Sequence, residues 1–187
     1  MRLLVSNGGK MSNTLIKVVN LKKYFPVERK SILSFWERRG VIHAVDGLSF
    51  SINRGEVFSI VGETGCGKTT TGRLCLRLIE PTEGEIFFDG SNLLSLNKEK
   101  MKEFRRNAQI IFQDPFASLN PRKTVEDIVG LPLEVYGIAK GKKKKEKALE
   151  LLEKVGLDPE HRGRYPHEFS GGQRQRISIA RALMVDP

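Results

Sequence analysis

One run of eight residues constrains this chain more than any other: Gly62-Glu63-Thr64-Gly65-Cys66-Gly67-Lys68-Thr69. It follows the spacing G-x-x-x-x-G-K-T, and its setting matters as much as its letters. Ahead of it, Val57-Phe58-Ser59-Ile60-Val61 is a nearly continuous apolar run, as expected of a short strand covered on both faces. Behind it, residues 69–79 carry Leu74, Leu76 and Leu78 at roughly helical spacing. Glycines at 62, 65 and 67 let the backbone take positive φ and approach a ligand with no Cβ in the way. Successive N–H groups of such a loop, continued by the free N–H groups of the first helical turn, form a concavity for anions. Lys68 adds a compact positive charge suited to β- and γ-phosphates, and the Thr69 hydroxyl suits Mg2+. The ligand implied is a nucleoside triphosphate. Cys66 is a small loop residue here and is not read as catalytic.

Composition narrows the setting. At 187 residues the chain is long enough for one domain with a core but not comfortably for two. A hydrophobic share of 39% together with 18 glycines excludes disorder over most of the length. No apolar run approaches the ~20 residues needed to cross a bilayer, so the chain is not an integral membrane protein by itself. The 32 Lys and Arg against 22 Asp and Glu leave +10, which favours an anionic partner: nucleotide phosphate, nucleic acid or an anionic membrane face. Cys66 and Cys75 form no disulfide framework, which fits a reducing cytosol. The first five residues are too short for an export signal, and either Met1 or Met11 can serve as the start. Residues 1–13 read as a disordered extension ahead of a single domain over 14–187.

Along that domain, strands are predicted at 14–19 and 44–52 with a turn at Asp46-Gly47, and residues 26–40 read as an exposed excursion between them. Residues 80–85 read as a turn before a strand at 86–88, and 109–112 as another buried strand. Helices are predicted at 98–106, at 124–136 with Pro132 interrupting, at 142–155 capped by Gly156, and at 170–184. The lysine-rich run 140–147 reads as a solvated helix start. No recognition helix, aromatic platform or zinc spacing accompanies it, so no specific nucleic-acid partner is expected. His43, His161 and His167 are too scattered for a metal site.

Two later segments sharpen the ligand. Gln113-Asp114-Pro115 would place an amide at the carboxyl end of a strand, where α/β folds bind ligand. Phe169-Ser170-Gly171-Gly172-Gln173 opens a helix with a good cap and two glycines, leaving N–H groups that can also face a phosphate. Two such helix starts are more than a monomer holding one nucleotide needs.

With phosphate loop, Gln113 and Phe169-Ser170-Gly171-Gly172-Gln173 in that order, the sequence resembles the ATP-binding subunits of ABC transporters, with Phe169 where leucine is commoner. A narrower resemblance, to the subunits that energise oligopeptide and dipeptide importers, rests on three features. They are Phe112-Gln113-Asp114-Pro115-Phe116-Ala117-Ser118-Leu119-Asn120-Pro121-Arg122, Tyr165-Pro166-His167-Glu168, and the insertion around 26–40. The resemblance covers residues from about 14 to 187. It implies an α/β fold: a P-loop NTPase (RecA-like) core with an N-terminal antiparallel β subdomain and a helical subdomain, incomplete at its C-terminus. It implies ATP and Mg2+ as cofactors, with the phosphates held by Gly62, Glu63, Thr64, Gly65, Cys66, Gly67, Lys68, Thr69 and Thr70. Mg2+ would be held by Thr69 with help from Gln113, and Lys68 and Gln113 would be the catalytic residues. Ser170, Gly171, Gly172 and Gln173 would act across a dimer of two ATP-binding subunits on the partner's nucleotide. The adenine would stack on Phe25, with Tyr24 as the alternative.

The implied function is ATP-driven peptide import. The partners would be transmembrane permease subunits and, indirectly, an extracytoplasmic solute-binding protein, with this chain peripheral on the cytoplasmic face. Oligosaccharide or nickel import, or a soluble ABC-type ATPase acting on nucleic acid, are the alternatives. The family's next elements, an apolar strand ending in Asp-Glu and a segment with a switch histidine, do not follow within the 187 residues, and no such strand precedes Asp186. A cassette truncated after the signature is expected to bind ATP weakly, to hydrolyse it poorly, and, with an apolar flank open, to aggregate or to be a truncated or split gene product.

Overall fold

β-Branched and alternating residues draw the first half of the chain into antiparallel sheet. The computed structural model describes residues 2–4, 13–27 and 40–187, divided between two units, Met1–Lys98 and Glu99–Pro187. In the first unit, β1 (Arg2–Leu4) pairs antiparallel with β4 (Ser59–Val61). β2 (Thr14–Pro26), β3 (Val41–Asn53), β5 (Glu83–Phe88) and β6 (Ser91–Asn92) form a second sheet in the order β3-β2-β5-β6. Arg2–Leu4 thus departs from the expected disordered extension, while Met1 and residues 5–12 lie outside the described residues. Most of the predicted 26–40 excursion, residues 28–39, also lies outside them. Where it leaves the sheet, the Val27 amide donates to the Gly40 carbonyl at 3.0 Å.

The long strands are not simply alternating. Val18 and Leu21 are both buried although they lie three apart, because the β2–β3 register shifts between them. Asn20 takes φ +46° at this bulge and its amide donates to Ser49 Oγ at 2.8 Å. Opposite, Gly47 takes φ +67°, so Asp46-Gly47 is not a turn before the strand but an irregularity inside β3. A bulge lets one strand change which face it buries without ending. Residues 83–85, expected in a turn, begin β5 for a related reason. Gly84, at φ +96°, lies so close to β2 that a Cβ there would stand 2.5 Å from the Asn20 carbonyl oxygen. Only glycine permits that approach.

Two apolar runs differ from expectation. The 57–61 segment forms a strand only at Ser59–Val61, with Val57 90% exposed, because among the described residues β4 has β1 as its sole partner. Residues 109–112 are not a strand at all. An apolar run becomes a buried strand only where neighbours take up its N–H and C=O groups, and no described strand pairs with this one.

The helices follow the sequence more closely. α1 is Lys68–Cys75, ending earlier than its leucines suggest, since the Arg77 and Leu78 amides fold back onto the Leu74 and Arg73 carbonyls. α2 (Lys98–Asn107), the short α3 (Pro115–Ser118), α4 (Val125–Val135), α5 (Gly141–Lys154) and α6 (Gly171–Leu183) follow. In the second unit, α4, α5 and α6 enclose a core that includes Ile128, Val129, Leu133, Ala148, Leu152, Ile177 and Ala180.

One charged side chain is built into this helical unit. The Lys144 side chain is only 9% exposed, and its stem crosses α4 where Gly130 leaves room. Its ammonium lies 3.0 Å from both Asp127 Oδ1 and Glu134 Oε1. Burial alone would lower the Lys144 pKa, but the bonds from Glu134 and Asp127 outweigh it and leave it raised. The same contact, led by the Lys144 hydrogen bond, holds the Asp127 carboxyl below its ordinary value. A depressed carboxyl pKa stabilises the fold above the unfolded value of about 4 and loses that contribution as pH falls through the native value. Asp127→Asn should therefore lower the neutral plateau of urea stability and flatten its acid limb below roughly pH 5, the two proteins converging at low pH. Parallel acid limbs for the two proteins would remove Asp127 from the account.

Candidate nucleotide-binding site

The phosphate loop is set by its seat on β3. Gly67 precedes α1 at φ +96°, and a Cβ on it would overlap the Ala44 carbonyl. Ala44 lies on β3 two residues from Ile42, which pairs with Phe25 of β2. One ribbon therefore positions both the loop and the aromatic residue. Gly65, at φ +85°, has open space where its Cβ would be.

The electrostatics of the loop converge on Lys68. Its ammonium donates to the Gly62 and Glu63 carbonyls at 2.7 and 2.6 Å and lies 3.7 Å from Cys66 Sγ. The side chain thus curls back over the loop and sets its charge at the loop's centre. Among the described residues the backbone amides of Gly65, Gly67, Lys68 and Thr69 have no acceptor. Thr71 is spent internally, its hydroxyl and amide both donating to the Gly67 carbonyl. Thr69 is exposed, with its hydroxyl unpaired among the described residues, the kind of hard oxygen a divalent cation takes. Free amides, a central ammonium and an exposed hydroxyl fit a polyphosphate with its cation.

The two aromatic candidates separate cleanly. Tyr24 donates its hydroxyl to Asp46 Oδ1 at 2.6 Å, and its ring lies 4.1 Å from that of His43. Phe25 is 37% exposed, with the Lys23 ammonium 5.0 Å from its ring centre. Phe25 is the more exposed of the two rings. Cys75, by contrast, is half-buried, and the loss of solvent pushes its thiol up to about 11.

In the second unit, Ser170 caps α6. Its hydroxyl accepts from the Gln173 amide at 3.3 Å, and Gln173 Oε1 accepts from the Ser170 amide at 2.9 Å. Gly171 and Gly172 have no positive φ, and a Cβ on either would meet nothing within 4 Å. These glycines answer no conformational demand of the chain, and their effect is to leave the helix start bare. Phe169 is buried in the helical core, edge-on to His161, which accounts for an aromatic side chain at this position. Gln113 is exposed.

Residues not singled out from the sequence connect this helix start to the segment after Gln113. The Arg174 guanidinium covers the ring of Phe116 at 3.8 Å and donates to the Phe169 carbonyl at 2.8 Å. Arg181 donates to the Ser118 carbonyl, and Ser178 and Ser118 share a hydrogen bond at 3.3 Å. In sequence Arg174 sits in a polar Gln-Arg-Gln-Arg run, which resembles any solvated helix face. No spacing rule marks it out.

Residues 45–187 match the family described as "ABC transporter". The chain belongs to that family. This ABC chain is 51% identical over 175 residues to the oligopeptide transport ATP-binding protein AppF of Bacillus subtilis, covering 93% of the chain and 52% of AppF. It is 45% identical over 183 residues to the dipeptide transport ATP-binding protein DppF of Haemophilus influenzae, covering 98% of the chain and 55% of DppF. It spans about half the length of the curated relatives it matches. Among solved structures, it superposes with a TM-score of 0.78 and 31% identity on the ATP-binding cassette MJ0796, described as a dimer in a post-hydrolysis state bound to ADP and Pi. That match covers 92% of this chain and 71% of the other. The fold is that of an ABC ATPase cassette. Among the described residues no helix is long and apolar enough to cross a membrane.

The two roles of glycine make opposite predictions for α6 and its cap. Gly172→Ala should leave the ABC chain as stable or stabilise it by up to about 1 kcal/mol, because helix interiors favour alanine. Ser170→Ala should cost about 1 kcal/mol through the lost cap. Urea midpoints of the two variants check both. A destabilised Gly172→Ala would mean that the fold, rather than a ligand, requires that glycine.

Proposed function

We propose that this chain is the ATP-binding part of a subunit that energises import of peptides across the cell membrane. The observation that carries the reading is the pair of glycine-bearing helix starts, where the amides of Gly65, Gly67, Lys68 and Thr69, and those of Gly171 and Gly172, have no acceptor among the described residues. A phosphate tail bound at the first would lie in the ring of amides, with Lys68 moving from the Gly62 and Glu63 carbonyls onto the β- and γ-oxygens. Phe25 would hold the adenine by stacking, and Thr69 and Gln113 would hold the cation. Mg2+, when bound, neutralises charge on the phosphate oxygens. Lys68 and Gln113 do the chain's own catalytic work: Lys68 stabilises charge at the γ-phosphate, and Gln113 orients groups around it.

The second helix start implies a partner. Ser170, Gly171, Gly172 and Gln173 are best used if a second ATP-binding subunit presents its nucleotide to them, as the dimeric state of the MJ0796 structure supports. Permease subunits in the membrane would complete the importer and keep this chain at the cytoplasmic face. The names of the relatives support a peptide as the solute.

Lys68→Ala should weaken binding of Mg-ATP at least tenfold, about the contribution of one charge-assisted contact, with an unchanged circular dichroism spectrum. Equal heats for the two proteins in titration calorimetry would overturn the nucleotide site. For the solute, deletion of the gene should abolish uptake of a labelled dipeptide or oligopeptide and spare uptake of free amino acids. Undiminished peptide uptake would overturn the substrate class.

A further inference from the structure

The lysine-rich run that the nucleotide site leaves unused resolves, in the fold, into two populations. Lys144 is buried between Asp127 and Glu134. Lys145 pairs with Glu126 at 2.8 Å, and Lys142 approaches Glu146 at 3.7 Å. The other three, Lys140, Lys143 and Lys147, are exposed and have no acidic partner among the described residues. At 100° per residue, positions spaced by three and four fall along one edge of α5, so the unpaired charges form a stripe.

This stripe does not serve the helix that carries it. The first turn of α5 holds no acidic residue, and its lysines crowd the end where the backbone dipole is already positive. Glu146, Glu150 and Glu153 lie further along, toward the opposite end. The lysines of the first turn oppose the helix dipole there, and Lys140, Lys143 and Lys147 have no acidic partner among the described residues to offset it. The exposed side chains are Lys and Glu only, with no arginine, asparagine or aromatic ring to read base edges or stack bases. A flat anionic surface asks for nothing beyond positive charge.

We propose that Lys140, Lys143 and Lys147 dock this face of α5 onto anionic lipid headgroups. The inference rests on the transport reading only in that this reading brings the chain to a membrane. It adds a direct contact with lipid, independent of any permease.

The test is co-sedimentation of the 187-residue chain with vesicles of phosphatidylcholine alone or with about one-third phosphatidylserine. Mg-ATP binding is measured on the same preparation. Wild type should bind the anionic vesicles, ignore the neutral ones, and release as salt rises. Lys140→Gln/Lys143→Gln/Lys147→Gln should partition at least tenfold more weakly, each lysine being worth roughly fivefold. The charge-matched control Lys98→Gln/Arg106→Gln/Arg122→Gln should stay within about twofold of wild type. Vesicle binding that is absent in wild type, or lost equally in the control, overturns the proposal. So does lysine-dependent binding of DNA by a chain that ignores the vesicles. Intact Mg-ATP binding alongside any of these outcomes leaves the transport reading standing.

Discussion

The backbone amides of Gly65, Gly67, Lys68 and Thr69 about the start of α1, and of Gly171 and Gly172 at the start of α6, have no acceptor among the described residues, and the proposed site depends on them. Every helix begins with such donors, and most are satisfied by caps or water. In the loop ahead of α1 the Lys68 ammonium donates to the Gly62 and Glu63 carbonyls. The α6 donors are flanked by two glycines with nothing over them. Phosphate is the group whose charge and oxygen geometry best complement both.

The two sites use glycine for different physical reasons. Gly67 is wedged against the Ala44 carbonyl in a left-handed conformation, so the fold itself requires it there. Gly171 and Gly172 have ordinary backbone angles and open surroundings, so the helix would accept alanine and gain by it. A cost in helix stability that the fold does not demand is the sign of a surface kept bare for a ligand. Arg174, Arg181 and Ser178 fasten α6 to Phe116 and Ser118 in the segment after Gln113.

The loop at 62–69, the Ser170 cap and the helices of the second half were legible because each rests on local rules: glycine conformation, capping and the 3.6-residue period. The errors fall where pairing decides. Asp46-Gly47 has the letters of a turn, yet it lies within β3 because Asn20 across the ribbon supplies a matching left-handed residue. Glu83-Gly84-Glu85 has them too, and enters β5 because β2 comes close enough to need a glycine. Residues 109–112 have the composition of a buried strand and lack a described neighbour to pair with. The Arg174–Phe116 contact was invisible for the same reason, since it joins residues 58 apart with no shared periodicity.

By itself the amino-acid order determined the local elements: a glycine loop with Lys68 and Thr69 ahead of α1, a capped, glycine-bearing helix start at Ser170, and the residue types of an ABC cassette. These depend on neighbours along the chain, whose geometry is fixed by a few bonds. Tertiary structure alone decided which ring, Phe25 or Tyr24, is the more exposed, which of the lysines in 140–147 are buried, paired or free, and why position 169 takes a phenylalanine. Each of those outcomes turns on a partner distant in sequence: Asp46 for Tyr24, Asp127 and Glu134 for Lys144, and the helical core for Phe169. No local pattern encodes where such a partner will lie, because chain closure over tens of residues is set by the packing of the whole unit.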